Sequence, residues 1–242
     1  LLQKLYPDIQ RLNRSKQDYL TAFFQRGLTD TGNPYYSHSI RWNNTRRLVR
    51  FLAQPPGATS NLIDCLNPLP LTFQNWSALG QAQYIEVMTF LSPYLLSSQG
   101  DRVSMANSVE GRFPFLDYRL VEFCNRLPSH LKMNGLVEKF LLRKLAAPLL
   151  PEEISKRVKR PYRAPIHRSF FQPHPVGYVQ EMLSPETVKK VGLFQPEMVS
   201  RLVQKAESGN DLTEVEDMGL VGILSTQILH KHFIESPAAP SP

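Results

Sequence analysis

Apolar residues recur at three- and four-residue intervals along most of this sequence, and the strict alternation expected of half-buried strands is missing. Such a pattern dictates helices packed by one face, so the chain is expected to be mostly α. The spacing predicts a helix over 16–25, with Tyr19, Leu20, Phe23 and Phe24 inward, stopped at Gly27. A second, over 45–53, sets Leu48, Val49, Phe51 and Leu52 opposite the wet side of Arg46, Arg47 and Arg50. Proline and turn-formers make 54–73 an irregular connection. Ser77 can cap a helix over 78–91, another covers 101–109, and Asp117 can cap one over 118–126. Helices follow over 137–145, over 152–156 behind Pro151, and over 177–183, 185–191, 196–208 and 215–233. Residues 1–235 read as one helical portion and 236–242 as a flexible tail.

At 242 residues and 42% hydrophobic, the chain can fill one ordinary core or two small ones. It begins at Leu1 rather than Met, which reads as a piece of a longer polypeptide. With no long apolar run and no signal-peptide pattern, a soluble, cytoplasmic protein with no membrane partner is expected. Cys65 and Cys124 stand in apolar settings without metal-ligand spacing, so buried free thiols are expected and no metal site. The two histidines of His230-Lys231-His232 point to different sides of a helix and do not suggest one either. The net charge of +7 is spread over local groups such as 46–50 and 156–160, without any nucleic-acid-binding fingerprint. Solvated helix faces absorb most of that charge, and a phosphate pocket can take a few of the rest.

Three segments carry candidate chemistry. In 95–123, Glu110 and Arg112 bracket a glycine directly before Phe113-Pro114-Phe115-Leu116. Charges entering an apolar turn need partners. Two readings stand: a structural Glu110–Arg112 salt bridge that fixes the turn, or a carboxylate poised as a proton carrier. In the stretch GLVEKFLLRKL, Glu138, Lys139 and Arg143 recur at helical spacing and read first as surface residues. In SKRVKRPYRAPIHRSFF, Lys159, Arg160, Arg163 and His167 lie in a loop stiffened by Pro161 and Pro165. That loop is either a solvated basic segment or a clamp for phosphate.

The blocks GDRVSMANSVEGRFPFLDYRLVEF and VEKFLLRKLAAPLLPEEISKRVKRPYRAP, in that order, resemble the C-terminal synthetase region of glutamine-dependent asparagine synthetases. The upstream stretch AFFQRGLTDTGNPYYSHSIRW is similar to a bacterial branch of the same family. The resemblance implies an α/β synthetase domain of the ATP pyrophosphatase (adenine nucleotide alpha hydrolase-like) fold. Its parallel sheet would lie upstream, and this chain would be the helical C-terminal part. It further implies ATP with Mg2+, an aspartate activated as aspartyl-adenylate, and ammonia delivered from an N-terminal glutaminase segment. By the same resemblance Glu110 matches the family's active-site glutamate, and Glu138 falls where related cyclising enzymes place the second carboxylate of a dyad. Lys159 matches the lysine that meets the departing pyrophosphate. Arg112 is expected to orient Glu110, while Asp101 and Arg102, which also recur in the family pattern, serve either substrate contact or helix stability.

The family's SGGxDS phosphate loop, its acidic GxxxDE segment and the glutaminase cysteine do not occur in this sequence. Family order places all of them upstream of Leu1, so the chain is not expected to be active by itself. Pro161-Tyr162 stands where many relatives carry a glycine before the aromatic residue. Relatives also activate carboxylates other than aspartate. A helical fragment cut from its sheet would expose an apolar face and could self-associate as a homo-oligomer. The competing expectations are a noncatalytic helical module that binds a partner protein and, weakest, a nucleic-acid-binding protein.

Overall fold

The computed structural model describes residues 14–55, 66, 68–157, 166–172 and 174–236. Among these the chain is mostly helical, with one two-stranded antiparallel ribbon. They divide into two compact units, one drawn from 1–40 and 62–160, the other from 41–61 and 161–242.

In the first unit, α1 (Arg14–Gln25) ends at Gly27, whose φ of +69° is the left-handed turn that glycine makes without steric cost. Helix α2 (Tyr36–Arg46) begins here and crosses the division between the units. Ser77 caps α3 (Ala78–Glu86) by accepting the Gly80 N–H at 3.1 Å. Buried His38 ties α2 to α3 through its Nε2, 2.7 Å from Glu86 Oε2. The expected helix over 78–91 does not stop there. It widens into a π-helical stretch, Val87–Asp101, that contains Pro93. Proline has no N–H to give the four-residue ladder and its ring crowds the preceding turn, which a wider turn relieves. Next come α4 (Arg102–Ala106), α5 (Tyr118–Arg126) and α6 (Ser129–Lys132), then the ribbon β1 (Met133–Asn134) with β2 (Val137–Glu138), and finally α7 (Phe140–Ala146) and α8 (Glu152–Ser155). The ribbon takes the first residues of the expected helix over 137–145, which begins instead at Phe140. Gly135-Leu136, with Gly135 at φ +59°, turns the chain back so that Asn134 pairs with Val137 and Met133 with Glu138.

Most of the burial lies in the second unit. Helices α9 (Ile166–Phe171), α10 (Gly177–Leu183), α11 (Pro185–Val191), α12 (Pro196–Glu207) and α13 (Glu214–His230) pack Val179, Leu183, Val188, Val199, Leu220 and Ile223 into one core. Fully burying each such side chain is worth about 1.5–3 kcal/mol. The expected helix over 45–53 is instead the end of α2 followed by a 3-10 turn, Arg47–Phe51. Leu52 then extends, because Ala53 N–H donates to Leu193 O at 3.0 Å and Gln195 N–H donates to Phe51 O at 2.9 Å. Among the described residues no helix is long and apolar enough to cross a membrane.

Candidate active site

Helix α4 ends in a Schellman closure. Val109 N–H donates to Ser104 O at 2.8 Å and Ser108 N–H to Met105 O at 3.0 Å, with Ser108 left-handed at φ +57° where glycine is usual. That closure throws the chain outward at Val109-Glu110. The Glu110 carboxylate then pairs with the Arg112 guanidinium across Gly111. The Phe113 ring folds back on that glycine, and a Cβ there would lie 2.8 Å from its Cζ. A short 3-10 turn, Pro114–Leu116, leads into α5, which Asp117 caps by accepting the Arg119 N–H at 2.9 Å. Arg119 also grips that carboxylate side-on, Nε to Oδ1 at 3.0 Å and Nη2 to Oδ2 at 2.7 Å. The guanidinium fork and the backbone N–H hold Asp117 below the usual carboxylate range.

Around this segment the apolar side chains stand in solvent: Val109, Phe113, Phe115, Tyr118 and Phe123 are all exposed. Cys124, expected to be buried, is exposed as well, because α5 has no buried residue. Cys65 lies outside the described residues.

The second candidate carboxylate, Glu138, ends β2 half-buried and is followed by Lys139, left-handed at φ +55° and ψ +37°. Ser108 and Lys139 are the non-glycine residues with positive φ among the described residues. One lies two residues before Glu110 and the other directly after Glu138. Left-handed L-residues are held only where their surroundings over-determine them, and they concentrate at functional sites.

Of the residues expected from sequence, Glu110 and Arg112 are brought into contact. Asp101 closes the π-helical stretch and Arg102 opens α4, both exposed and neither hydrogen-bonded to Glu110 or Glu138. Lys159, with Arg160, Pro161, Arg163 and Pro165, lies outside the described residues. Sequence reasoning passed over Arg143 as a surface residue. Its guanidinium is half-buried and takes up backbone carbonyls, Glu138 O among them, at 3.2 Å. Its four-residue spacing from Lys139 was the only signal, and that is also the spacing of an ordinary pair on a helix surface. No group of three or more His, Cys, Asp or Glu among the described residues could hold a metal ion.

Residues 4–231 match the family described as asparagine synthase. The chain belongs to that family. Among its curated family relatives, the protein named amidase chyE of Penicillium rubens is 30% identical over 179 residues, 70% of this chain and 26% of that protein. Amidase chry2 of Gibberella zeae is 32% identical over 126 residues, 49% of this chain and 18% of its own length. The glutamine-hydrolysing asparagine synthetase 3 of Bacillus subtilis is 38% identical over 90 residues, 37% of this chain and 14% of its own. The chain thus spans about a quarter or less of the length of these relatives. No solved structure matches it.

Proposed function

We propose that this chain is the helical C-terminal part of an ATP-dependent, glutamine-hydrolysing asparagine synthetase that makes asparagine from aspartate through aspartyl-adenylate. The observation that supports the reading best is local: both family-matched carboxylates, Glu110 and Glu138, lie within two residues of a left-handed non-glycine residue in a chain of this family. The exposed apolar side chains of α5 fit a helical layer that covers a parallel sheet of the ATP pyrophosphatase fold supplied by upstream sequence.

In this reading an oxygen of the substrate carboxylate attacks the α-phosphorus of ATP, and the bond to pyrophosphate breaks. Lys159, assigned by its sequence match, meets the charge that builds on the leaving group. Ammonia from the glutaminase segment attacks the acyl carbon and AMP departs. The nitrogen sheds a proton, for which Glu110 is the base, oriented by Arg112, with Glu138 as the second carboxylate. ATP arrives with magnesium, which residues upstream of this chain would largely hold. Asp101 and Arg102 are assigned to the substrate side of the same unit. The reading places the protein in the cytoplasm, compatible with self-association, and gives it neither nucleic acid nor membrane as partner.

The two relatives named amidases that match the longest stretches of the chain favour a second reading, in which the same amide chemistry acts on a carboxylate other than aspartate. The test uses the full-length protein with ATP, magnesium chloride and ammonium chloride, and measures pyrophosphate release with aspartate and with a panel of other carboxylic acids. Release with aspartate supports the first reading, and release only with another acid supports the second. No carboxylate-dependent release would leave a noncatalytic, partner-binding helical module. In Glu110→Gln, carboxylate-dependent pyrophosphate exchange should persist while amide formation slows by about 10²-fold, the usual contribution of a positioned base. Lys159→Ala should abolish pyrophosphate release and leave glutamine hydrolysis measurable.

A further inference from the structure

Arg143 occupies an unusual position for a residue on an amphipathic helix. Its backbone N–H donates to Lys139 O at 2.8 Å, the first turn of α7. Its Nε donates to Glu138 O at 3.2 Å. One residue therefore takes both carbonyls of the left-handed turn. The same guanidinium reaches further, Nη1 donating to Ser155 O at 3.1 Å and to Arg157 O at 3.4 Å. Ser155 is the last residue of α8, so its carbonyl is one that the helix cannot satisfy itself. Arg157 is two residues before Lys159 in sequence. A guanidinium carries five N–H donors in a rigid planar fork, so bonds made from Nε and Nη1 fix their acceptors relative to each other.

We propose that Arg143 is a positioning residue: it locks the turn that presents Glu138, anchored on the carbonyls at and just after the end of α8. The inference rests on the amide-forming role of Glu138 given above. A lysine ammonium is a compact point charge on a flexible stem and cannot hold carbonyls of both segments in the geometry of a planar fork.

The test is a double-mutant cycle in the full-length protein, with aspartate as probe carboxylate, comparing Arg143→Lys, Glu138→Gln and the double variant. A loss of geometry rather than of binding should lower kcat by about tenfold in Arg143→Lys, with KM for ATP changed by no more than about threefold. Because Arg143 acts through Glu138, the double variant should be no slower than Glu138→Gln. Multiplying losses would mark Arg143 as a general stability residue and overturn the inference. So would unfolding at 25 °C, by near-UV circular dichroism, of both Arg143→Lys and Arg143→Gln. An impaired Glu138→Gln beside a fully active Arg143→Lys overturns the inference and leaves the functional reading intact. Wild-type kcat in Glu138→Gln removes the role of Glu138 and the inference with it.

Discussion

Glu110 and Arg112 are ion-paired across Gly111 with 68% and 76% of their side chains in solvent. At such exposure water screens both charges, and pairs of this kind contribute about 0–1 kcal/mol. Arg112→Ala should therefore shift urea-unfolding stability by less than about 0.5 kcal/mol, as surface changes commonly do. In the proposed mechanism Arg112 orients the base and not the leaving group, so its effect should appear in chemistry, as slower amide formation at unchanged pyrophosphate exchange. A larger stability loss with full amide yield would return the pair to a structural brace.

Glu216 gives the second prediction. Burial pushes its carboxyl up, but the Lys205 ammonium at 2.8 and 2.9 Å and the Thr213 N–H and hydroxyl, both at 2.8 Å, outweigh that and hold it below its ordinary value. Thr213 in turn accepts the Glu216 N–H, which completes a capping box at the start of α13. A depressed folded value means stability that is fully present above the unfolded carboxyl's titration and lost as pH falls through the folded one. Glu216→Gln keeps a residue that can complete the capping box but loses the charge paired with Lys205, and should cost about 1 kcal/mol at neutral pH. The gap between variant and wild type should close on the acid side of the carboxylate range. A gap that stays constant with pH in urea titrations would show that the charge contributes nothing.

Gly219 sits on α13 where a Cβ would lie 2.9 Å from Phe51 Cε2 and 3.4 Å from Leu48 Cδ2. Alanine favours a helix interior over glycine by about 1 kcal/mol, which by itself predicts stabilisation. Phe51, however, is buried to 3% exposure, with Arg50 stacked 4.9 Å from its ring centre, so it cannot swing aside. Overpacking of a tight core costs about 1–3 kcal/mol and wins. Gly219→Ala should lower the melting temperature, and trimming the ring in Gly219→Ala/Phe51→Leu should recover part of that loss. A melting temperature raised in the single variant would mean the 47–51 turn yields.

These positions show what the sequence could and could not reveal. Asp117 before α5, Ser77 before α3 and Pro185 at the start of α11 carry local signals, and those helices begin where the signals place them. The ribbon at 133–138 was missed although Asn134-Gly135 signals a turn, because two-residue strands are too short to alternate. The π-helical stretch was illegible because Pro93 could equally have ended the helix. At the site, the Glu110–Arg112 pair was legible because its partners are two residues apart. Arg143 was not, because its acceptors are backbone carbonyls up to 14 residues away, and carbonyls leave no mark on residue identity. His38 and Glu86, 48 residues apart, were invisible for the same want of a local signal. The mostly helical class followed from periodicity, whereas the placement of most burial after residue 165 did not, since α5 has as clear an apolar face as α12 and leaves it uncovered.

Lys139 supplies the last prediction. At φ +55° its Cβ crowds the following carbonyl, a strain of about 1–2 kcal/mol for an L-residue. Glycine removes that strain but loosens the unfolded chain by about 0.5–1 kcal/mol, so the two effects oppose and the strain is the larger. Lys139→Gly should thus stabilise the chain by about 0.5–1 kcal/mol in urea unfolding, the usual size of a turn optimised in this way. The Arg143 hydrogen bonds to Glu138 O and Lys139 O remain in that variant, so Glu138 keeps its place and kcat should fall far less than in Arg143→Lys. Adding Lys139→Gly to Arg143→Lys should slow the enzyme further, since neither strain nor guanidinium then fixes the turn. A destabilised Lys139→Gly would show that the lysine is comfortable in its left-handed conformation, and that the turn beside Glu138 stores nothing for Arg143 to hold.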